Sequence, residues 1–281
     1  MGQLLIVQQL PSLSAESIIE LFRHVYTIGK HWEHRWSPAP MRLWFRGVDD
    51  GRFSLDPGLL RAPYVGGDLE QAESDISSDF RVRGRPYFPS PPQSGWEEMF
   101  LMQHYGFPTR LLDWSESLAT AAYFAARDID SSVDGAVWVM SPQFLTHRAQ
   151  GEYATHVATT HSWLRPYEQW VSRRNLEEFN KLVPLPLLPD HFDTRIVAQR
   201  GRFTVHTFAL GSLSTLAKED RQQYGDACFL HQIRIPVEAK STIRQQALIV
   251  GGASEDTLFP DLEGLSRSMR WEAREQAKRP A

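Results

Sequence analysis

The chain has 281 residues, 42% of them hydrophobic and 23% charged, with a formal net charge of −4. That length supplies a sizeable core, for one large domain or a domain with an appendage, and that composition excludes wholesale disorder. The mild acidity argues against a protein that coats nucleic acid non-specifically, although "FRVRGRP" from Phe80 to Pro86 is locally basic and leaves room for a basic cleft.

The first predicted element is a strand within residues 3 to 10. A helix follows over "SLSAESIIELFRHVYTIGKHW", with Ser14 as N-cap and Ile18, Ile19, Leu21, Phe22 and Val25 as its apolar stripe. "SPAP" breaks the chain, and "MRLWFRG" reads as a strand ending at Gly47. A turn at Asp56-Pro57-Gly58 and a polar helix over "DLEQAESDISSDFRVRG" come next. The proline-rich "RPYFPSPPQSG" reads as a loop, whether lid, linker or solvated surface. A helix starts near Trp96 and stops at Gly106 and Pro108.

A short strand from Thr109 to Asp113 then leads to an alanine-rich helix. Ser115 is its expected N-cap, and Ala119, Ala122, Tyr123 and Ala126 allow close packing. "GAVWVMSP" reads as a strand, "RPYEQWVSRRNLEEFNKL" as a helix and "VPLPLLPD" as extended chain. Ile196 to Ala198 and Phe203 to Phe208 are two apolar runs. "CFLHQIRIP" alternates as a strand with mixed polarity on both sides, which suits the edge of a cleft. A helix, a Gly-Gly break, a Phe-Pro turn and a final helix close the chain, with "WEAREQAKRPA" expected to fray.

Several function classes lose support at this point. Cys228 is the single cysteine, so neither an intramolecular disulfide nor a cysteine zinc site can form. His31 and His34 in "HWEH" read as a solvated helix face, and no metal is expected. There is no Gly-x-Ser-x-Gly, no Walker A loop and no Gly-x-Gly-x-x-Gly. A nuclease or other hydrolase therefore finds no constellation. The sequence shows no basic leader with a long apolar core and no run of eighteen apolar residues, and Ile6 stands where myristoylation needs Ser or Thr. The expectation is a cytoplasmic protein with no membrane partner.

The densest polar-aromatic stretch is "QHYGFPTRLLDWSESLATAAYFAA", Gln103 to Ala126. One reading is a turn held by Thr109, Arg110 and Asp113, with Arg110–Asp113 as a structural ion pair. The other is a binding site. Nine tryptophans and fifteen phenylalanines leave a similar choice between a large-ring core and a pocket for a flat ligand.

Six blocks, "LWFRG", "LDPGLLR", "QHYGFPTRLLDWSESLATAAYFA", "GAVWVM", "RIVAQRGRFTVH" and "TLFPDLEGLSRSM", resemble the FRG-domain family in its order. They span about residues 43 to 270. The implied organisation is an N-terminal strand and helix over 1–40, an FRG domain over 41–270 and a charged tail over 271–281. One departure is "DWSESLATAA", where the family reads Asp-Trp-Thr followed by Asn-Pro; Ser115 keeps the hydroxyl.

The layout in turn resembles the ADP-ribosyltransferase superfamily: a strand ending in Arg, a strand with Ser or Thr, then a helix of the Ala-x-x-Phe type. The resemblance implies an α+β fold, with a split mixed β-sheet clamping NAD and flanking helices. By position, Arg46 contacts an NAD phosphate or ribose, and Gly47 permits close approach. Ser115 orients the nicotinamide ribose, and Tyr105, Trp114 or Tyr123 stacks on nicotinamide. Thr109, Arg110 and Gln199 complete the cofactor contacts.

Gln199 stands where the superfamily carries a catalytic glutamate, and glutamine cannot act as a base. Asp113, Glu255, Asp261 and Glu263 are the available carboxylates. Asp113 is favoured as catalytic beside Arg46 and Ser115, while Asp261 and Glu263 read more simply as helix caps. The implied activity is transfer of ADP-ribose from NAD, without a metal, to a protein or RNA acceptor. A bacterial toxin or phage-defence effector, held by an antitoxin or inhibitor protein, is the implied setting. "RVRGR" and Arg173-Arg174 are candidate guides for RNA. The alternative is a non-catalytic module binding a nucleotide or partner in the same cleft.

Overall fold

The first helix, α1 (Ile18–Arg35), buries Ile18, Leu21, Val25, Ile28 and Trp32. Its apolar stripe is narrower than the sequence implied, because Ile19 and Phe22 are exposed. Ser14 is not its cap. It lies in the two-residue strand β1 (Leu13–Ser14), and Ser17 Oγ accepts from Glu20 N instead, at 3.3 Å. The computed structural model describes residues 13–35, 42–61, 63–64, 67–88, 91–151, 153, 156–157, 184–189, 194–209 and 211–277. The expected strand at 3–10, the "SPAP" break, Arg173-Arg174 and the predicted helix over "RPYEQWVSRRNLEEFNKL" lie outside the described residues.

In chain order come β2 (Trp44–Val48), α2 (Leu69–Gly84), α3 (Gly95–His104), β3 (Leu111–Ser115), α4 (Leu118–Ala125) and β4 (Gly135–Met140). Then follow α5 (Pro142–Gln150), β5 (His156–Val157), β6 (Leu185–Leu188), α6 (Thr194–Ala198), β7 (Gly201–Val205) and α7 (Ser212–Tyr224). The last are β8 (Leu230–Ile235), α8 (Lys240–Gly251), α9 (Glu255–Leu258) and α10 (Leu262–Ala277). The elements form an α+β fold with helices and mixed sheet. Helix starts follow side-chain caps: Asp68, Ser94, Ser117 and Ser141 each accept from a backbone N–H of the first turn. The stretch 271–277, expected to fray, continues α10 to Ala277.

The chain divides into two compact units. Unit 1 comprises Met1–Phe53, Ser115–Met140 and Asp226–Ala281; unit 2 comprises Ser54–Trp114 and Ser141–Gly225. In unit 1 the strand neighbours run β1, β8, β4, β2. β1 is parallel to β8, while β8 and β2 both run antiparallel to β4. β8 is an inner strand between β1 and β4.

Side chains alternate across a strand, so the register assigns faces. Phe45, Val139 and His231 share one face with Gly47, Val137 and Ile233. Against that face packs α4, whose alanines leave room for the strand backbones. Trp32 of α1 meets His231 edge-on at 5.8 Å and donates Nε1–H to the Cys228 carbonyl at 2.7 Å.

In unit 2, β7 and β6 are antiparallel, and β6 and β5 parallel. The core here is aromatic. Trp96, Met99 and Phe100 of α3 pack with Leu111, Leu185, Leu187, Ile196, Phe203 and Val205. Phe100 stacks on Phe203 at 5.1 Å. Composition left core and pocket both open for these rings, and this cluster takes the core.

Candidate functional site

The opposite face of the unit 1 sheet differs in character. Arg46, Trp138 and Gln232 are cross-strand neighbours on β2, β4 and β8. All three are half-buried, whereas the flanking row of Trp44, Met140 and Leu230 is fully buried. A guanidinium, an indole and an amide thus stand side by side, and strands about 4.8 Å apart make the row about 10 Å long. Gln232 Nε2 donates to the Gly51 carbonyl at 2.9 Å. Trp138 Nε1 is buried and meets no acceptor among the described residues, a condition that favours a polar partner from elsewhere.

Ser115 pairs with Phe45, so the pleat puts Ser115 on the face away from Arg46. Its expected role as N-cap falls to Ser117, whose Oγ accepts from Thr120 N at 3.2 Å. Ser115 stays extended and its Oγ accepts from Ser117 N at 2.9 Å, which shapes the turn into α4. Gly47 lies under α4. A Cβ there would collide with the Ala121 carbonyl and come within 2.7 Å of Ala125 N. Tyr123 is 1% exposed, with the Arg244 guanidinium 5.4 Å from its ring centre. It is a core ring and offers no open face for stacking.

Unit 2 holds the polar block, and its side chains are largely engaged. Thr109 Oγ1 donates to Gln103 Oε1 at 2.5 Å. Gln103 Nε2 then donates to both Asp113 oxygens, at 3.0 and 2.9 Å. Asp113 is exposed. The Arg110–Asp113 ion pair of the structural reading is not among the ion pairs of the described residues. Arg110, 1% exposed, donates to Glu73 Oε1 at 2.6 Å and lies over the Phe208 ring. Glu73 sits on α2, and sequence spacing gave no sign of that partner.

Trp114 is also buried. Its Nε1–H donates to Thr204 Oγ1 at 3.0 Å, and that hydroxyl lies 2.8 Å from His206 Nε2. Tyr105 is exposed at the end of α3, its ring edge-on to His104. Gln199 closes the turn after α6, its N–H donating to the Arg195 carbonyl at 2.9 Å.

Among the other carboxylates, Asp261 caps α10 by accepting from Gly264 N at 2.7 Å. Glu263 pairs with Arg267. Glu255, 5% exposed, accepts from Arg127 Nε at 3.0 Å and Arg267 Nε at 2.9 Å. Burial alone would raise its pKa, but the Tyr123 hydroxyl and the two arginines outweigh burial and hold it below 4.5. A carboxylate so held is an ion-pair anchor and a poor base. Its contribution to stability is full above pH 4.5 and is lost as the pH falls below that value toward its folded pKa. Glu255→Gln is expected to cost roughly 2 kcal/mol at pH 7, because two arginines lose a charged acceptor. The difference from wild type should shrink in urea melts at pH 3.5; a constant difference would refute the linkage.

No group of three or more His, Cys, Asp or Glu among the described residues is placed to hold a metal. No helix among them is long and apolar enough to cross a membrane. Residues 41–133 match the family model of the FRG domain. Over that stretch, about a third of its length, the chain is similar to the FRG domain. The match includes Phe45-Arg46-Gly47 on β2, the polar block and all of α4. No curated protein and no solved structure matches the chain. Two residues of the candidate row, Trp138 and Gln232, were missed by sequence reasoning. The available signal was polarity in the middle of the strands "GAVWVM" and "CFLHQIRIP", which shows that they share a row with Arg46 only once the register is known.

Proposed function

We propose that this chain is an NAD-dependent ADP-ribosyltransferase whose Arg46–Trp138–Gln232 row engages the dinucleotide. The observation that carries the reading is that row: a guanidinium, a flat ring and an amide on one sheet face. The Arg46 fork suits a diphosphate oxygen pair, and the Trp138 indole suits a nicotinamide or adenine ring. In the reaction the glycosidic C–N bond breaks, and nicotinamide leaves with the bonding electron pair. The acceptor nucleophile bonds to the ribose carbon and gives up its proton. The acceptor is a protein or an RNA, and the setting is that of a bacterial toxin or phage-defence effector held by an antitoxin or inhibitor.

The test is incubation with adenylate-labelled NAD and cell lysate, followed by separate protease and RNase digestion. Label should appear on protein or on RNA, and Trp138→Ala should weaken NAD binding about tenfold, the worth of one stacked ring. A second reading, a module that binds a nucleotide or partner in the same row without turnover, is favoured by Ser115 lying on the face away from Arg46. NAD binding with neither transfer nor nicotinamide release would select it. Asp113→Asn separates the two further, since loss of transfer with retained binding requires that carboxylate to act in the reaction.

A further inference from the structure

Unit 1 contains a cavity of about 440 Å³ lined by the loops after β2 and α4 and by α8, α9 and α10. Its volume falls within the range of small-molecule sites. Arg267, Arg270, Trp271 and Arg274 line one side, from positions three, four and seven apart on α10, and so form one helix face. Arg244 of α8 joins them, its guanidinium 5.0 Å from the Trp271 ring centre.

The arginines differ in how far they are committed. Arg127 and Arg267 are spent on Glu255. Arg244 donates Nη1 to the Arg127 carbonyl at 2.8 Å. Arg270 gives Nε and Nη2 to Ser266, which leaves its third nitrogen uncommitted among the described residues. Arg274 has no hydrogen bond or ion pair among them. The lining also carries three carboxylates from other segments, Asp49, Asp128 and Asp130. None of these carboxylates forms an ion pair with the arginines among the described residues.

We infer that this cavity is a nucleotide site separate from the sheet row. Arg270 and Arg274 take the phosphates, Trp271 takes the base, and Asp128 and Asp130 accept from the ribose hydroxyls. Uncommitted guanidinium nitrogens around an indole match a phosphate next to a ring. The three carboxylates select against a ligand that is anionic throughout, such as pyrophosphate or a polyanion, and suit a diol, as carboxylates do in dinucleotide folds. The inference is independent of the transfer reaction proposed above.

The test is calorimetric titration of ADP, adenosine and pyrophosphate at low salt into the Arg46→Ala protein, so that binding at the sheet row does not enter. One ADP should bind per chain, more tightly than either fragment. Arg270→Ala with Arg274→Ala should weaken ADP at least tenfold. Arg274→Ala alone, at an exposed helix position where alanine is well tolerated, should give a smaller loss in the same direction without unfolding. Absence of ADP binding, an affinity unmoved by both variants, or pyrophosphate binding as tightly as ADP would each overturn the assignment.

Discussion

Gly47→Ala is expected to lower the stability of the chain by about 3 kcal/mol or more, read as a fall of several degrees in the thermal midpoint. The reason is backbone against backbone. The new Cβ would overlap the Ala121 carbonyl and sit 2.7 Å from Ala125 N, and neither can move without shifting α4 off the sheet. A clash with a flexible side-chain tip would cost far less. Gly135→Ala should behave alike, because its Cβ meets the Ala125 carbonyl. Gly29 is the control. It lies inside α1 with nothing within 4 Å of an added Cβ, so Gly29→Ala should gain up to about 1 kcal/mol. Equal effects at Gly47 and Gly29 would refute the close-packing account. The glycine of the Phe-Arg-Gly triplet thus has a structural reason for its place, whatever the arginine does.

Arg46→Ala is expected to reduce ADP-ribosyl transfer at least about 100-fold, with a far smaller change in thermal midpoint than Gly47→Ala. Arg46→Lys should also transfer poorly, since an ammonium keeps the charge but loses the planar fork that grips two oxygens. If Arg46→Lys retained full activity, charge alone would suffice and the bidentate assignment would fail. If Arg46→Ala retained it, the row would not be the NAD site. Measuring NAD affinity and transfer on the same samples separates loss of binding from loss of chemistry.

Much of the local structure was legible before any coordinates. The periodicity of "SIIELFRHV", the polar helix from Leu69, the helix into Gly106 and the strands "GAVWVM" and "CFLHQIRIP" all appear where apolar spacing puts them. The alanine-rich helix was expected to pack closely, and α4 does so against Gly47 and Gly135. These features depend on short-range chemistry, which the chain carries in order.

Partner choice was not legible. One reading paired Arg110 with Asp113 three residues away, yet Arg110 reaches Glu73 on α2, and Gln103 takes Asp113. A turn that includes Pro108 and extends into β3 points alternate side chains to opposite sides, so nearness in sequence does not bring charges together. Arg46 and Ser115 failed to share a face for the same reason. Phe45 and Ser115 are opposite each other in the ladder, and one residue of register inverts the side-chain direction.

By itself the sequence determined the α+β class, the FRG triplet on a strand and the close packing of the alanine-rich helix, but not the helices at Pro142–Gln150 and Ser212–Tyr224. Only the tertiary structure decided that Arg46 lines up with Trp138 and Gln232, that Tyr123 and Trp114 are core rings, and that arginines of α8 and α10 converge on one cavity. Each of these depends on which strands pair and in what register, or on which helix faces meet. Such long-range choices are set by the burial of the whole chain and leave no mark at any single position.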